Sequence, residues 1–144
     1  MIEIATVNYA AFKPEMGLAV RTSVGAPRYF EYRPLATWEA VYPQYNWLKL
    51  SYDDYHGRYL AKLDEYGADN MRADIDALAE ICRDHVENQR LLLCCYETLA
   101  KPGAWCHRSM LSRWLTENLG IEVLELGKMP KPVAPVLDPD PTLF

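Results

Sequence analysis

At 144 residues, half of them hydrophobic and 24% charged, the chain has the size and composition of one folded domain and not of a disordered segment. A net charge of -5 argues against broad electrostatic binding to nucleic acid, which rests on neutralising phosphates with Lys and Arg. No stretch reaches the roughly 20 uninterrupted apolar residues of a membrane span, and Met1-Ile2-Glu3-Ile4 lacks the basic-then-apolar pattern of a signal peptide, so the expected location is cytoplasmic.

The elements follow in chain order. Ile2 to Val7 alternates apolar and polar side chains, is rich in β-branched residues and reads as a strand. Asn8 to Gly17, with Pro14, reads as a loop; Leu18 to Val24 reads as a second strand, ended by Gly25-Ala26-Pro27. Residues 28–50 are aromatic and interrupted by Pro34 and Pro43, and the pattern resolves nothing there beyond a short helix at Thr37–Tyr42. Ser51 followed by Asp54 has the form of a capping box, and Tyr52, Tyr55, Tyr59, Leu60 and Leu63 recur at helical spacing up to Gly67. From about Asn70, Met71, Ile75, Leu78, Ala79, Cys82 and Val86 fall on one stripe of a second helix.

Charge is unevenly spread over these elements. Ser51 to Asn88 carries Asp53, Asp54, Asp64, Glu65, Asp69, Asp74, Asp76, Glu80, Asp84 and Glu87 against Arg58, Lys62, Arg72 and Arg83. Lys13 to Arg33 reverses the sign, with Lys13, Arg21, Arg28 and Arg33 against Glu15 and Glu31, so a local anion site is compatible with an acidic chain.

Arg90 to Tyr96 is a short continuous apolar run, the pattern of a strand buried on both faces of a parallel sheet. After Pro102 and Gly103, a helix from His107 to Leu119 places Met110, Leu111, Trp114, Leu115 and Leu119 on one face. Gly120 supplies its C-cap and Ile121 to Leu126 returns to a strand, giving a right-handed βαβ unit. Residues 128–144 contain Pro130, Pro132, Pro135, Pro139 and Pro141 and read as an extended tail. The predicted division is thus an α/β domain over 1–127 and a proline-rich tail over 128–144.

In a parallel α/β sheet ligands bind beyond the C-terminal ends of the strands, where loops lead into helix N-termini. Cys94, Cys95, Tyr96 and Glu97 stand at one such strand end, and Cys106, His107 and Arg108 at the start of the next helix, so the two groups are predicted to approach one another. A helix N-terminus favours anions and lowers the pKa of a thiol placed there. Cys106 is accordingly the candidate thiolate, with His107 beside it. The plain alternative is a small buried side chain that merely begins a helix. Arg108 is read either as an anion ligand or as the ion-pair partner of Glu97; Arg21 and Arg28 are candidates for the same anion, although no Gly-rich phosphate loop accompanies them. Cys82 and Cys94 read as core, and all four cysteines as reduced thiols.

Leu91-Leu92-Leu93-Cys94-Cys95-Tyr96-Glu97 followed by Trp105-Cys106-His107-Arg108 resembles the signature of the bacterial and phage proteins grouped as domain of unknown function 488: a Cys-x-Glu at a strand end and a Cys-His-Arg at a helix start. The N-terminal strand, Arg21 and Pro27 extend the likeness over most of residues 2–127, while the Glu97–Cys106 loop is longer than in many members and the tail lies outside the pattern. The resemblance implies a Rossmann-like α/β fold and no particular reaction.

The expected fold is therefore a single Rossmann-like three-layer α/β domain, with a small, mostly parallel sheet and flanking helices. The expected function is binding of a small anionic, nucleotide-like ligand at the strand-end crevice. Cys106, Glu97 and His107 are its candidate catalytic groups, and Arg108, Arg21, Arg28, Cys95 and Tyr96 its candidate ligand-binding groups. A zinc site built from Cys94 or Cys95, Cys106 and His107 is set aside because structural zinc usually uses closely spaced pairs such as Cys-x2-Cys and none is present, so no metal is assigned, and no cofactor is named. The alternative is a non-catalytic interaction protein, phage-encoded or bacterial, that uses segment 28–50 and the tail, with its Pro132-Val133-Ala134-Pro135 register, for a partner or a homodimer.

Overall fold

The computed structural model of the chain describes residues 2–96 and 105–127. Its strands are β1 (Glu3–Asn8), β2 (Leu18–Arg21), β3 (Leu35–Thr37), β4 (Arg90–Cys95) and β5 (Val123–Glu125), and its α-helices are α1 (Tyr52–Tyr66), α2 (Ala68–His85) and α3 (His107–Leu119). The strands form one sheet in the order β3-β2-β4-β1-β5, and every pairing is parallel. The expected "mostly parallel" sheet is thus wholly parallel. Among the described residues no helix is long and apolar enough to cross a membrane.

Local chemistry accounts for most of these boundaries. Ser51 Oγ accepts a hydrogen bond from the Asp54 N–H at 3.3 Å, capping α1 as the Ser-x-x-Asp spacing predicted. Gly67, at φ +90°, ends α1 with its N–H on the Leu63 carbonyl and immediately begins α2, so that helix starts two residues before the expected Asn70. Gly120 closes α3 in the left-handed region, a conformation glycine adopts without a Cβ clash. The sheet register sets Glu3 opposite Arg90, and the two make a 2.8 Å ion pair at the start of the central strand pair.

β2 is shorter than the expected Leu18–Val24. Thr22 N–H still bonds the Cys94 carbonyl at 3.2 Å, but Ser23 Oγ turns onto the Gly25 carbonyl and the chain leaves the sheet. β3 arises from the aromatic stretch whose pattern resolved no strand, and the helix expected at Thr37–Tyr42 is a single 3-10 turn at Glu39–Val41. β5 likewise occupies only the middle of the expected Ile121–Leu126.

The sheet is buried on both faces. Ile4, Leu18, Val20, Leu91 and Leu93 face a core shared with all three α-helices, through Tyr55, Tyr59 and Leu63 of α1, Met71, Ile75 and Cys82 of α2, and Leu111, Trp114 and Leu115 of α3. Ala5, Val7, Ala19, Leu92 and Cys94 face the opposite way, onto Tyr9, Phe12 and Phe30. That second cover comes from the β1–β2 and β2–β3 connections, so the third layer is built of turns and aromatic rings instead of α-helices. Each fully buried leucine contributes roughly 1.5–3 kcal/mol, which makes Leu91, Leu92 and Leu93 a principal anchor of the sheet.

Connections that run toward β3 lie on one face and those that run toward β5 on the other, the arrangement that right-handed crossovers require. The chain leaves β2 and β4, which are neighbours, in opposite directions and over opposite faces. A crevice opens between their C-terminal ends, at the topological switch point. The tail and the Glu97 loop, residues 97–104, lie outside the described residues, as do the expectations placed on them.

Candidate functional site at the β2/β4 crevice

Three short segments meet at the switch point: Thr22-Ser23 beyond β2, Cys95-Tyr96 at the end of β4, and Trp105-Cys106-His107-Arg108 at the start of α3. The sequence placed the last two together, and the structure does so at the level of atoms. Cys106 is the N-cap residue of α3, extended at φ -149° and ψ 153°, and its side chain makes no cap bond, which leaves the sulfur to point elsewhere. It meets Cys95: the two sulfurs are in bonding contact across a Cα separation of 7.6 Å. Against the expectation of four reduced thiols, Cys95 and Cys106 are thus joined, and the expectation holds for Cys82 and Cys94, which are unpaired and buried. Cys94, its thiol pushed up to about 12 by burial, points into the aromatic-covered core and drops out of the chemistry, as predicted.

His107 is buried and its ring is fixed from two sides. Nε2 lies 2.9 Å from the Thr22 carbonyl oxygen and 3.1 Å from the Thr22 hydroxyl. A carbonyl can only accept, so Nε2 carries the proton and Nδ1 is left as a lone pair. That lone pair faces Cys106 Sγ at 3.6 Å. Burial holds the imidazole neutral, lowering its pKa to about 4, and the nearby Arg108 charge acts in the same direction. The Thr22 hydroxyl in turn donates to the Cys94 carbonyl at 2.8 Å, and Tyr59 packs edge-on against the imidazole, its hydroxyl bonded to the Val41 carbonyl at 2.7 Å.

Arg108 points away from the crevice. Its side chain is fully buried; Nε and Nη2 donate to the two oxygens of Glu125 at 2.9 and 3.2 Å, and Nη1 donates to Cys95 Sγ at 3.0 Å. Glu125 also accepts from the Thr6 hydroxyl at 2.7 Å and the Gly127 N–H at 2.8 Å. The acid that holds Arg108 among the described residues is therefore on β5. Glu97, the expected partner, lies outside them.

Above Cys95 and Cys106 is a cavity of about 820 Å³, inside the usual range for small-ligand sites. Ser23, Val24 and Gly25 form one wall; Pro43, Gln44, Tyr45 and Leu48 form another; Tyr55, Tyr96 and Trp105 supply aromatic rings, and Cys106 and His107 the floor. Trp105 is steadied by edge contacts with Tyr55 at 4.9 Å and Tyr52 at 5.2 Å between ring centroids. Among the described residues no Lys, Arg, Asp or Glu lines the cavity.

The predicted ligand-binding residues thus divide. Tyr96 lines the cavity, and Cys95 lies beneath it against Cys106. Arg21 is turned aside, with Nε donating to the Tyr42 hydroxyl at 2.9 Å and its guanidinium 5.2 Å from that ring. Arg28 is exposed on the β2–β3 connection and does not line the cavity. His56, on α1, stacks on Tyr52, and His85 is at the exposed end of α2; neither joins the cluster. Sequence reasoning missed Thr22, Tyr45, Leu48 and Tyr55. The available signal was the aromatic richness of residues 28–50, which had no topology to place it.

Neither the protein-family models, nor curated proteins, nor solved structures provide a match for this chain.

Proposed function

We propose that this domain binds a small planar organic molecule of nucleobase-like character in the β2/β4 crevice, with the Cys95, Cys106 and His107 cluster as the reactive floor. One observation carries the reading: a cavity of about 820 Å³ at the switch point that is lined by the rings of Tyr45, Tyr55, Tyr96 and Trp105 and whose floor holds the Cys106 sulfur and a neutral imidazole. Aromatic walls favour stacking on a flat ring, and the few polar groups at the floor fix its orientation. The absence of charged lining side chains among the described residues shifts the emphasis of the sequence expectation from an anion to the ring that carries it. Kinship with domain of unknown function 488 is part of the same proposal, supported by Cys106-His107-Arg108 at the helix start.

Titration with a panel of purine and pyrimidine bases, nucleosides and nucleoside monophosphates, read by quenching of tryptophan fluorescence, tests it. The proposal expects saturable binding by at least one member, weakened at least tenfold in Tyr55→Ala or Tyr96→Ala. Binding that neither substitution weakens, or no binding by any member at millimolar concentration, overturns it.

The alternative, an interaction surface, draws on one observation. Val24, Tyr45, Leu48 and Tyr96 are exposed around the same mouth, 49–77% accessible, and form an apolar rim.

A further inference from the structure

We infer that Cys95, Cys106 and His107 bind a divalent metal ion of the zinc class, with one coordination position open to the cavity. The three candidate donor atoms, the two Sγ and a ring nitrogen of His107, all lie within 4.8 Å of one another, and all three residues are buried. Two thiolates and an imidazole are a donor set suited to zinc, and three protein ligands with a free fourth position are the pattern of a catalytic site as opposed to a structural one. Cys106 and His107 line the cavity, so the fourth position faces the space where the organic ligand is placed.

Three further observations favour a metal. First, the backbones hold Cys95 and Cys106 7.6 Å apart at Cα, beyond the roughly 4.4–6.8 Å that disulfides span, so the frame suits two sulfurs gathered around a shared ion better than a bond between them. Second, His107 has the outer bonding of a metal ligand: the Nε2 proton is held by the Thr22 carbonyl and Nδ1 is left as a lone pair on the side of the sulfurs. Third, Arg108 Nη1 donates to Cys95 Sγ at 3.0 Å, a bond strongest when that sulfur is a thiolate. The charge of Arg108 is already matched by Glu125, so two buried thiolates leave two negative charges that a divalent cation balances. An external thiol reductant first supplies the two electrons and two protons that convert the joined pair to two thiols, and loading then releases those thiol protons to solvent and would leave the fourth position to a water.

This inference deepens the reading of the same crevice. Metal occupancy is measured without any organic ligand, so the two proposals can fail separately. The full chain, purified in reductant and stripped with chelator, is titrated with cobalt(II). The expected result is one ion per chain with intense sulfur-to-cobalt charge-transfer absorption, displaced by equimolar zinc. Cys95→Ser, Cys106→Ser and His107→Ala each weaken affinity by more than the 10–100-fold typical of losing an outer-shell contact, whereas Cys94→Ala keeps the spectrum. Circular dichroism establishes that each variant is folded, and the wild-type spectrum decides the matter alone if one is not. Absence of a thiolate–cobalt band in the reduced protein overturns the proposal, as does a band lost equally in Cys94→Ala. A purified chain lighter by the two hydrogens of a Cys95–Cys106 disulfide that takes no metal after reduction also overturns it.

Discussion

Replacing Glu125 with alanine removes the acceptor of four hydrogen bonds at once: two from Arg108, one from the Thr6 hydroxyl and one from the Gly127 N–H. The Arg108 side chain has 0% exposure and that of Glu125 16%, so the guanidinium stays in the interior when this carboxylate is lost. Breaking a buried ion pair by deleting one member costs about 3–5 kcal/mol, because an uncompensated charge stays in the interior. That is a large part of the roughly 5–15 kcal/mol that a domain has in total. Urea denaturation followed by circular dichroism at neutral pH is the assay, and the midpoint is expected to fall with little change in slope. The double variant Arg108→Met/Glu125→Leu, which removes both charges, is expected to recover most of the loss. A Glu125→Ala cost below about 1 kcal/mol would refute the premise that Arg108 is held in the interior by this carboxylate.

Other outcomes follow from single positions. Gly17 sits at φ +142° with its α-carbon against β4, where an added Cβ would overlap the Arg90 carbonyl oxygen and press on Leu92; Gly17→Ala is expected to cost about 1–3 kcal/mol in the same denaturation assay. His107 in the metal-stripped protein binds its proton near pH 4 when folded and near 6.5 when unfolded. Its contribution is therefore intact above about 6.5 and is lost as pH falls toward 4, by about 3 kcal/mol, a loss that a His107→Phe variant should not share. In the reduced, metal-free protein iodoacetamide is expected to label Cys106, which lines the cavity, before Cys82 or Cys94, and peptide mass mapping that finds Cys94 labelled first would contradict its burial.

The parts of this fold that were legible in the sequence are those fixed by local periodicity or by a single punctuating residue. The alternation of residues 2–7, the stripe from Met71 to Cys82, the apolar run of β4, the Ser51 cap and Gly120 each act within a few residues of themselves. β3 was not legible: Leu35-Ala36-Thr37 is too short for a pattern, and it becomes a strand only because β2 lies beside it to accept its ladder. The crevice was located correctly from a general property of parallel sheets, but its walls were not, since Tyr45, Leu48 and Tyr55 reach it only after the β3–β4 connection has crossed the helical face.

The same distinction separates the right and wrong partners of the site residues. Cys106 and His107 are adjacent, and their nearness to Cys95 followed from the strand-to-helix geometry; a zinc site on these residues was set aside in the sequence for want of a Cys-x2-Cys spacing, whereas in the structure their three ligand atoms converge. The Arg108 pair with Glu125 joins α3 to β5, seventeen residues on, and depends on β5 having settled beside β1. Arg21 was expected at the crevice from its place near a strand end and the local charge sign; in the structure its Nε donates to the Tyr42 hydroxyl, a contact made across the β2–β3 region that no local pattern announces.

The central claim, that the β2/β4 crevice is a binding site for a flat organic ring, is tested most directly by two-dimensional NMR of the labelled protein titrated with the tightest nucleobase or nucleoside found. The account predicts shifts concentrated on the Trp105 indole, Tyr55, Tyr96 and the amides of Ser23 to Gly25, with Tyr9, Phe12 and Phe30 on the opposite face of the sheet undisturbed. Shifts centred on that opposite aromatic cover, or spread without a focus, would contradict it.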